Sequence, residues 1–456
     1  MPSPLRDRLR RLAEPPGPPA EGVSSPLDQL ERQMVGEVRE DLGLKARLER
    51  LVAVAARDRR PLASVPSQEP VAPLEELVQG CRVKNDRGEF FLIDEALPLE
   101  AFHGGVPLSR FRTLEAHSAP ILAGEPGYEG FDFQAAVYLD TETTGLAGGT
   151  GTAAFLVGIG YVDGDRFRVR QYFMRDYHEE AALLFGLAEE LRRFSRVVTY
   201  NGKMFDLPLL ETRYRLCRQR YPLSRATHLD LLYPSRRLWK ARVGSCRLQS
   251  LESALLGVER HGDIPGEEIP HLYFEYVRRR DARALAKVFR HNHVDVVSLA
   301  ALSVLACQWV AGGFAEDPRD LLSLGRVYER ARLGERCEDA YRRALDTEDS
   351  ALRLPALLRL AARLKRAGQH EAAATLWAEA TDAGDLGALR ELAIHLEHRR
   401  RDLSAALRLV KQGLEQAEAA GPLGPPRLIG DLQKRKGRLL AKRSRQDGGH
   451  DPESPG

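Results

Sequence analysis

The segment Tyr138-Leu139-Asp140-Thr141-Glu142-Thr143-Thr144-Gly145 decides how the rest of this chain is read. It closes an apolar run, Ala135 to Leu139, of a length that suits a buried strand. Side chains alternate across a strand, so Asp140 and Glu142 emerge on the same face. Two carboxylates side by side at a strand end repel each other unless a cation lies between them. Hard oxygen donors of this kind suit Mg2+ or Mn2+ better than zinc. A lone Asp-x-Glu also occurs on solvated strands, so its weight comes from the acids further along the chain.

There are two of these, in order. Tyr200-Asn201-Gly202-Lys203-Met204-Phe205-Asp206-Leu207-Pro208 continues a short strand, Arg196 to Tyr200, and sets Asp206 at a loop-to-helix junction. An acid there can also serve as a plain helix N-cap. His291-Asn292-His293-Val294-Asp295-Val296 reads as helix, with His291 and Asp295 at i and i+4 on one face and His293 on another. Asp295 stands among Val294, Val296, Val297 and Leu299, and an inward carboxylate in such company needs a partner. Between these motifs lie a second strand, Ala153 to Val162, a turn at Asp163-Gly164-Asp165, and a third strand, Arg166 to Met174. Helical spacing at Leu183, Leu184, Leu187 and Leu191 comes next, then a strand at His228 to Leu232 and helices to residue 307. Three antiparallel strands followed by alternating helix and strand predict an α/β ribonuclease-H-like domain over 131–310, with a mixed five-stranded sheet and flanking helices.

The segments Leu139 to Gly145, Tyr200-Asn201-Gly202-x-x-Phe205-Asp206 and His291-Asn292-x-x-Asp295 resemble the three motifs of the DEDD exonuclease superfamily. The flanking text is similar to the YprB-like ribonuclease-H-fold family. It includes Leu229 to Leu232, Arg236-Arg237-Leu238-Trp239, Cys246 to Glu252 and Asp263-Ile264-Pro265-Gly266. The resemblance implies a 3′→5′ exonuclease with two Mg2+ or Mn2+ ions held by Asp140, Glu142, Asp206 and Asp295. Asp140 would bridge both ions, Glu142 and Asp295 would hold the one that activates water, and Asp206 would orient the second through a water shell. In the histidine class of these enzymes the His lies five positions before the last Asp, and in the tyrosine class a Tyr lies four before. His291 stands four before, a histidine in the tyrosine register, and is expected to orient the attacking water or take its proton. Asp230 is expected near the same strand ends, either structural or in an outer shell.

Nucleic acid is the expected partner. Tyr233 to Arg247 interleaves Arg236, Arg237, Lys240, Arg242 and Arg247 with Tyr233 and Trp239, a pattern that can follow a phosphate backbone and stack bases. Thr143 and Asn201, beside the acids, are further expected contacts. The Gly-rich loop from Gly145 to Gly151 lacks the lysine of a P-loop and is expected to turn tightly beside the acids or to let a nucleotide approach. A scaffold that keeps the fold without catalysis and endonucleolytic cleavage of an RNA–DNA hybrid are the competing readings; four convergent carboxylates favour an enzyme.

Outside this domain, 79–130 reads as a small β-rich lead-in with a hairpin turned by Asn85-Asp86-Arg87-Gly88. Residues 1–78 are charged and Pro-rich and are expected to be largely disordered, with a helical spacing at Leu27, Leu30, Met34, Leu44, Leu48 and Leu51. From 318 to 420 an internal repeat resembles the tetratricopeptide repeat: Leu324-Gly325…Tyr328…Cys337…Tyr341…Ala344 matches Leu360-Ala361…Leu364…Ala373…Trp377…Ala380 and, less closely, Leu392-Ala393…Leu396…Ala406…Val410…Gly413. Such repeats are expected to form a module separable near Gly313 that holds a protein partner. Residues 421–456 read as a disordered basic tail.

The 456 residues carry 68 basic and 65 acidic side chains, a net charge of +3, so any nucleic-acid surface must be local. Five scattered cysteines form no Cys-x-x-Cys pair, which argues against a disulfide framework or zinc knuckle and fits a cytoplasmic protein. No uninterrupted apolar stretch approaches the ~20 residues that span a bilayer, and no membrane partner is expected.

Overall fold

The computed structural model describes residues 71–145, 151–312, 315–419 and 426–447. The expected N-terminal disorder and helical spacing before residue 71, and most of the Gly-rich loop after Gly145, lie outside the described residues. The strands are β1 (Cys81–Asn85), β2 (Gly88–Pro98), β3 (Phe102–His103), β4 (Val106–Pro107), β5 (Val137–Thr143), β6 (Ala154–Asp163), β7 (Arg166–Phe173), β8 (Arg196–Thr199) and β9 (Thr227–Asp230). The α-helices of six residues or more begin with α1 (Ser118–Ala123), α2 (Glu180–Leu191), α3 (Asp206–Leu216), α4 (Leu232–Val243), α5 (Ile269–Arg279) and α6 (Leu285–Ala311). They continue with α7 (Pro318–Arg330), α8 (Gly334–Arg343), α9 (Ser350–Arg366), α10 (His370–Asp382), α11 (Leu386–His395), α12 (Leu403–Ala419) and α13 (Pro426–Asp447).

The main sheet has seven strands in the order β1-β2-β7-β6-β5-β8-β9. β5, β6 and β7 are antiparallel neighbours, the last two joined by a tight turn at Gly164, whereas β8 and β9 follow helices and run parallel to β5. The sequence predicts five strands here. The lead-in supplies the other two: its hairpin closes at Asp86-Arg87, with the Asn85 Oδ1 accepting from the Arg87 N–H at 2.9 Å, and β2 then pairs along β7. What reads as a separate lead-in is an extension of the central sheet, because β7 would otherwise be an open edge.

Alternation along β5 sorts its residues between two cores. Val137 and Leu139 pack with Leu183, Leu187, Tyr214 and Tyr273 of α2, α3 and α5, while Tyr138 faces Trp239, Val296 and Ala300 of α4 and α6. Asp140 and Glu142 therefore face the α6 side, and Thr141 between them faces the α3 side. Helix α6 has the length and hydropathy of a membrane span, but most of that apolar surface is buried against the sheet and helices. It is the central core helix, and its apolar length is interior.

The core on the α6 side does not stop at the end of that helix. It runs on through Trp309, Val310, Leu321, Leu324, Tyr328, Tyr341, Leu360 and Trp377, so the helices from α7 to the start of α11 share it, while α12 and α13 pack with Leu389 and Ala393 of α11 in a core of their own. Trp239 meets Trp309 edge to face at 5.6 Å, the Tyr328 hydroxyl donates to the Val310 carbonyl at 2.9 Å, and Arg242 pairs with Asp320 at 2.6 Å. The expected separable module is corrected by this continuity. The expected disordered tail is corrected as well: α13 buries Leu432 and Leu439 completely. Arg435, Arg438 and Lys442 of α13 close on the buried Glu397 at 2.8–2.9 Å.

Candidate metal centre

The local backbone brings three elements to one end of the sheet. β5 delivers Asp140 and Glu142, α3 starts at Asp206, and the N-terminal half of α6 carries His291, Asn292 and Asp295 on neighbouring turns. Gly158 on β6 admits α6: a Cβ there would overlap Asn292 Oδ1 and stand 2.9 Å from Val296 Cγ2. Gly202 does the same for the second motif, since its Cβ would come within 2.9 Å of Asp206 Oδ2.

Asp140, Asp206 and Asp295 each have a hydrogen-bond partner. Asn292 Nδ2 donates to Asp140 Oδ2 at 2.9 Å and is itself fixed by Gln171, whose Nε2 donates to Asn292 Oδ1 at 2.9 Å and to the Phe289 carbonyl at 2.8 Å. Thr141 Oγ1 donates to Asp206 Oδ1 at 2.5 Å. Asp206 lies in the first turn of α3 and makes no side-chain cap, so the plain N-cap reading is set aside. Arg260 makes a two-pronged pair with Glu252 (2.6 and 2.5 Å), donates to Asp263 Oδ2 at 3.1 Å and reaches Asp295 Oδ1. His291 Nδ1 lies 2.9 Å from Asp263 Oδ1. Its Nε2 points the other way, 3.4 Å from Asp295 Oδ2 and 4.0 Å from Glu142 Oε1.

Burial pushes Asp140 and Glu142 well above the ordinary carboxylate range, and the charges of Asp295 and of the other acids push further the same way. Burial also raises Asp206, to about 6, against the pull of the Thr141 hydrogen bond. Asp295 is raised by burial too, although Arg260 and His291 oppose it. Acids crowded enough to prefer their protons could hold a divalent cation, which would replace those protons. Ligand atoms of Glu142, His291 and Asp295 lie within 4.8 Å of one another. Asp140 and Asp206 stand beside this group as neighbouring charges, each held by its hydrogen bond.

Other residues singled out in the sequence fall in different places. His293 turns to Glu95 on β2, at 3.3 Å. Asp230 is structural: its carboxylate accepts from the N–H groups of Asn201 (2.7 Å), Lys203 (3.0 Å) and Leu232 (3.0 Å), fixing the loop that leads to Asp206 and the positive φ of Asn201. Thr143 Oγ1 donates to the Gly145 carbonyl at 2.8 Å. Arg236, Lys240 and Tyr233 are exposed, but Trp239 is fully buried against Trp309 and cannot stack a base. Arg237 is half-buried and spends its guanidinium on the carbonyls of Leu122 and Ala123 at the end of α1. Both are withdrawn from the expected nucleic-acid surface, because α7 packs over this side of α4. Met204 and Phe205, to which the sequence assigns no role, are 65% and 54% exposed immediately before Asp206.

A family model described as RNase_H superfamily matches residues 137–307, the segment that holds every one of these acids. Over 344 residues the chain is 31% identical to the protein YprB of Bacillus subtilis (strain 168), covering 72% of this chain and 81% of that protein. The chain belongs to the YprB family. Among solved structures it is similar to a family B DNA polymerase from the hyperthermophilic archaeon Pyrobaculum calidifontis, with a TM-score of 0.31 and 15% identity over 46% of this chain; it spans 28% of that polymerase. The YprB-family chain thus carries a nuclease-type fold of the ribonuclease H superfamily, a fold that usually binds divalent metals, with an acidic group able to hold one.

Proposed function

We propose that this protein is a metal-dependent nuclease that hydrolyses phosphodiester bonds of DNA or RNA from a 3′ end by a two-metal mechanism. The observation that carries the reading is the meeting of acids from three separated motifs, Asp140 and Glu142, Asp206, and Asp295, at one end of the sheet of a nuclease-type fold. Those four side chains would hold the ions. Bound there, divalent cations supply charge neutralisation at the phosphate and a water acidic enough to attack at neutral pH. Asn292, braced by Gln171, keeps the Asp140 carboxylate turned toward α6, and Thr141 keeps Asp206 beside it. Thr143, Asn201 and the exposed Lys203, Arg236 and Lys240 would supply contacts to the nucleic-acid backbone. Exposed Phe205 offers the stacking face that Trp239 cannot, and base stacking is worth about 1–3 kcal/mol per base. The all-helical region is the surface for a protein partner.

The test is purified full-length protein with Mn2+ or Mg2+ against single- and double-stranded DNA and RNA labelled at either end. Stepwise shortening of 5′-labelled strands is expected, abolished by EDTA and by Asp140→Asn. Cleavage that survives Asp140→Asn, or internal nicking of circular substrate, would sink the exonuclease assignment.

A further inference from the structure

Three distances around His291 carry information that the carboxylates alone do not. Nδ1 is at hydrogen-bond distance from Asp263, 2.9 Å, which makes this nitrogen the donor and turns Nε2 toward Asp295 and Glu142. Nε2 is 3.4 Å from Asp295 Oδ2 and 4.0 Å from Glu142 Oε1, too long for good hydrogen bonds. Two donors each ~2.1 Å from a shared cation stand about 3.0 Å apart at a right angle and about 4.2 Å apart when opposite. Both separations fall inside that interval. Metal-bound histidines commonly donate their other ring N–H to a carboxylate, which fixes tautomer and ring orientation. Asp263 stands in that relation to His291, and Arg260 in turn ties Asp263 and Asp295 to Glu252.

We infer that His291 is itself a ligand of the divalent ion through Nε2, completing a mixed nitrogen and oxygen set with Glu142 and Asp295, and that Asp263 is the residue that positions it. The inference rests on the metal-dependent reading above and deepens it. The histidine in the tyrosine register is then a coordinating group, not a base waiting for a proton. An imidazole among carboxylates shifts preference from Mg2+ toward Mn2+ and later first-row ions.

The test is pulsed electron paramagnetic resonance of the full-length protein loaded with Mn2+. Directly coordinated nitrogen is expected as 14N modulation of the echo, converted to the 15N pattern when the same protein is grown with 15N-histidine, an arm that needs no substitution. The modulation is expected to vanish in His291→Gln. Asp263→Ala should weaken Mn2+ binding on the order of 10–100-fold, with Asp263→Asn recovering part of the loss. Bound Mn2+ with no coordinated nitrogen, or modulation that persists in His291→Gln, overturns the inference and leaves the nuclease reading standing. Coordinated nitrogen in a protein that cleaves no nucleic acid upholds the ligand and fells the nuclease reading.

Discussion

At position 158 the absence of a side chain sets how close β6 and α6 can come. An alanine there would press on Asn292 and Val296, both on the buried face of α6. Gly158→Ala is therefore expected to cost about 1–3 kcal/mol in urea unfolding, the usual range for overpacking. It should also weaken Mn2+ binding measured by calorimetry, since Asn292 can no longer hold Asp140. Unchanged binding with reduced stability would show that Asn292 does not serve the acids. Protons compete with the ion at the same atoms. Asp206, raised to about 6 by burial, carries its proton below that pH and loses it above. Mn2+ affinity should therefore rise with pH through about 6, and a flat titration from pH 5 to 7 would remove Asp206 from the set. The four acids are legible in the sequence because each closes a short motif. Asp263 also stands in a motif, but its role is not legible, since its partner His291 lies 28 residues away and nothing in the spacing announces the contact.

The strands and helices of the α/β domain follow from hydrophobic period and turn chemistry, as β5, β6 and β7 show. The last helix does not. In α13 the fully buried leucines, Leu432 and Leu439, are seven residues apart in a field of Lys and Arg, and that reads as a solvated tail until its counterpart is known. The counterpart is Glu397, in the π-helical turn after α11, whose carboxylate receives Arg435, Arg438 and Lys442. Burial works against the Glu397 charge, but the hydrogen bonds from Arg438 and Lys442 and the field of Arg438 outweigh it and hold its pKa at about 2. A lowered pKa means that the contribution is fully present above the ordinary glutamate value near 4.5 and is lost as pH falls toward about 2. Glu397→Ala removes the anion while Arg435 stays buried. The expected cost is toward the lower end of the ~3–5 kcal/mol for breaking a buried pair, because Arg438 and Lys442 are partly solvated. Faster amide exchange over 426–447 and new tryptic cuts at Lys434 to Arg443 are the expected signs. Exchange no faster than in the parent would mean that Leu432 and Leu439 suffice to dock the helix.

Across the whole molecule the sequence invites a cut near residue 313, between a strand-bearing half and a helical half, and the packing refuses it. Ending the chain at residue 312 would strip α7 from α4 and expose Trp309, Val310, Leu238 and Trp239 together. The shortened protein is expected to aggregate or to melt at a lower temperature in calorimetry. A soluble fragment with the parent's melting temperature would show that the halves are independent after all. The repeat pattern in the sequence records helices that stack on one another and is silent about the first of them, α7, which stacks on α4. Helix α6 joins the two ends of this arrangement. Asp295 and Trp309 are 14 residues apart on it, about 21 Å at the rise of an α-helix. A lever of that length converts angle into displacement: a 3° tilt imposed at Trp309 moves the Asp295 carboxylate by about 1 Å if α7 is the fulcrum. Whatever docks on the helical half would thus hold a mechanical dial on the spacing of the acids, with no route through the solvent between them.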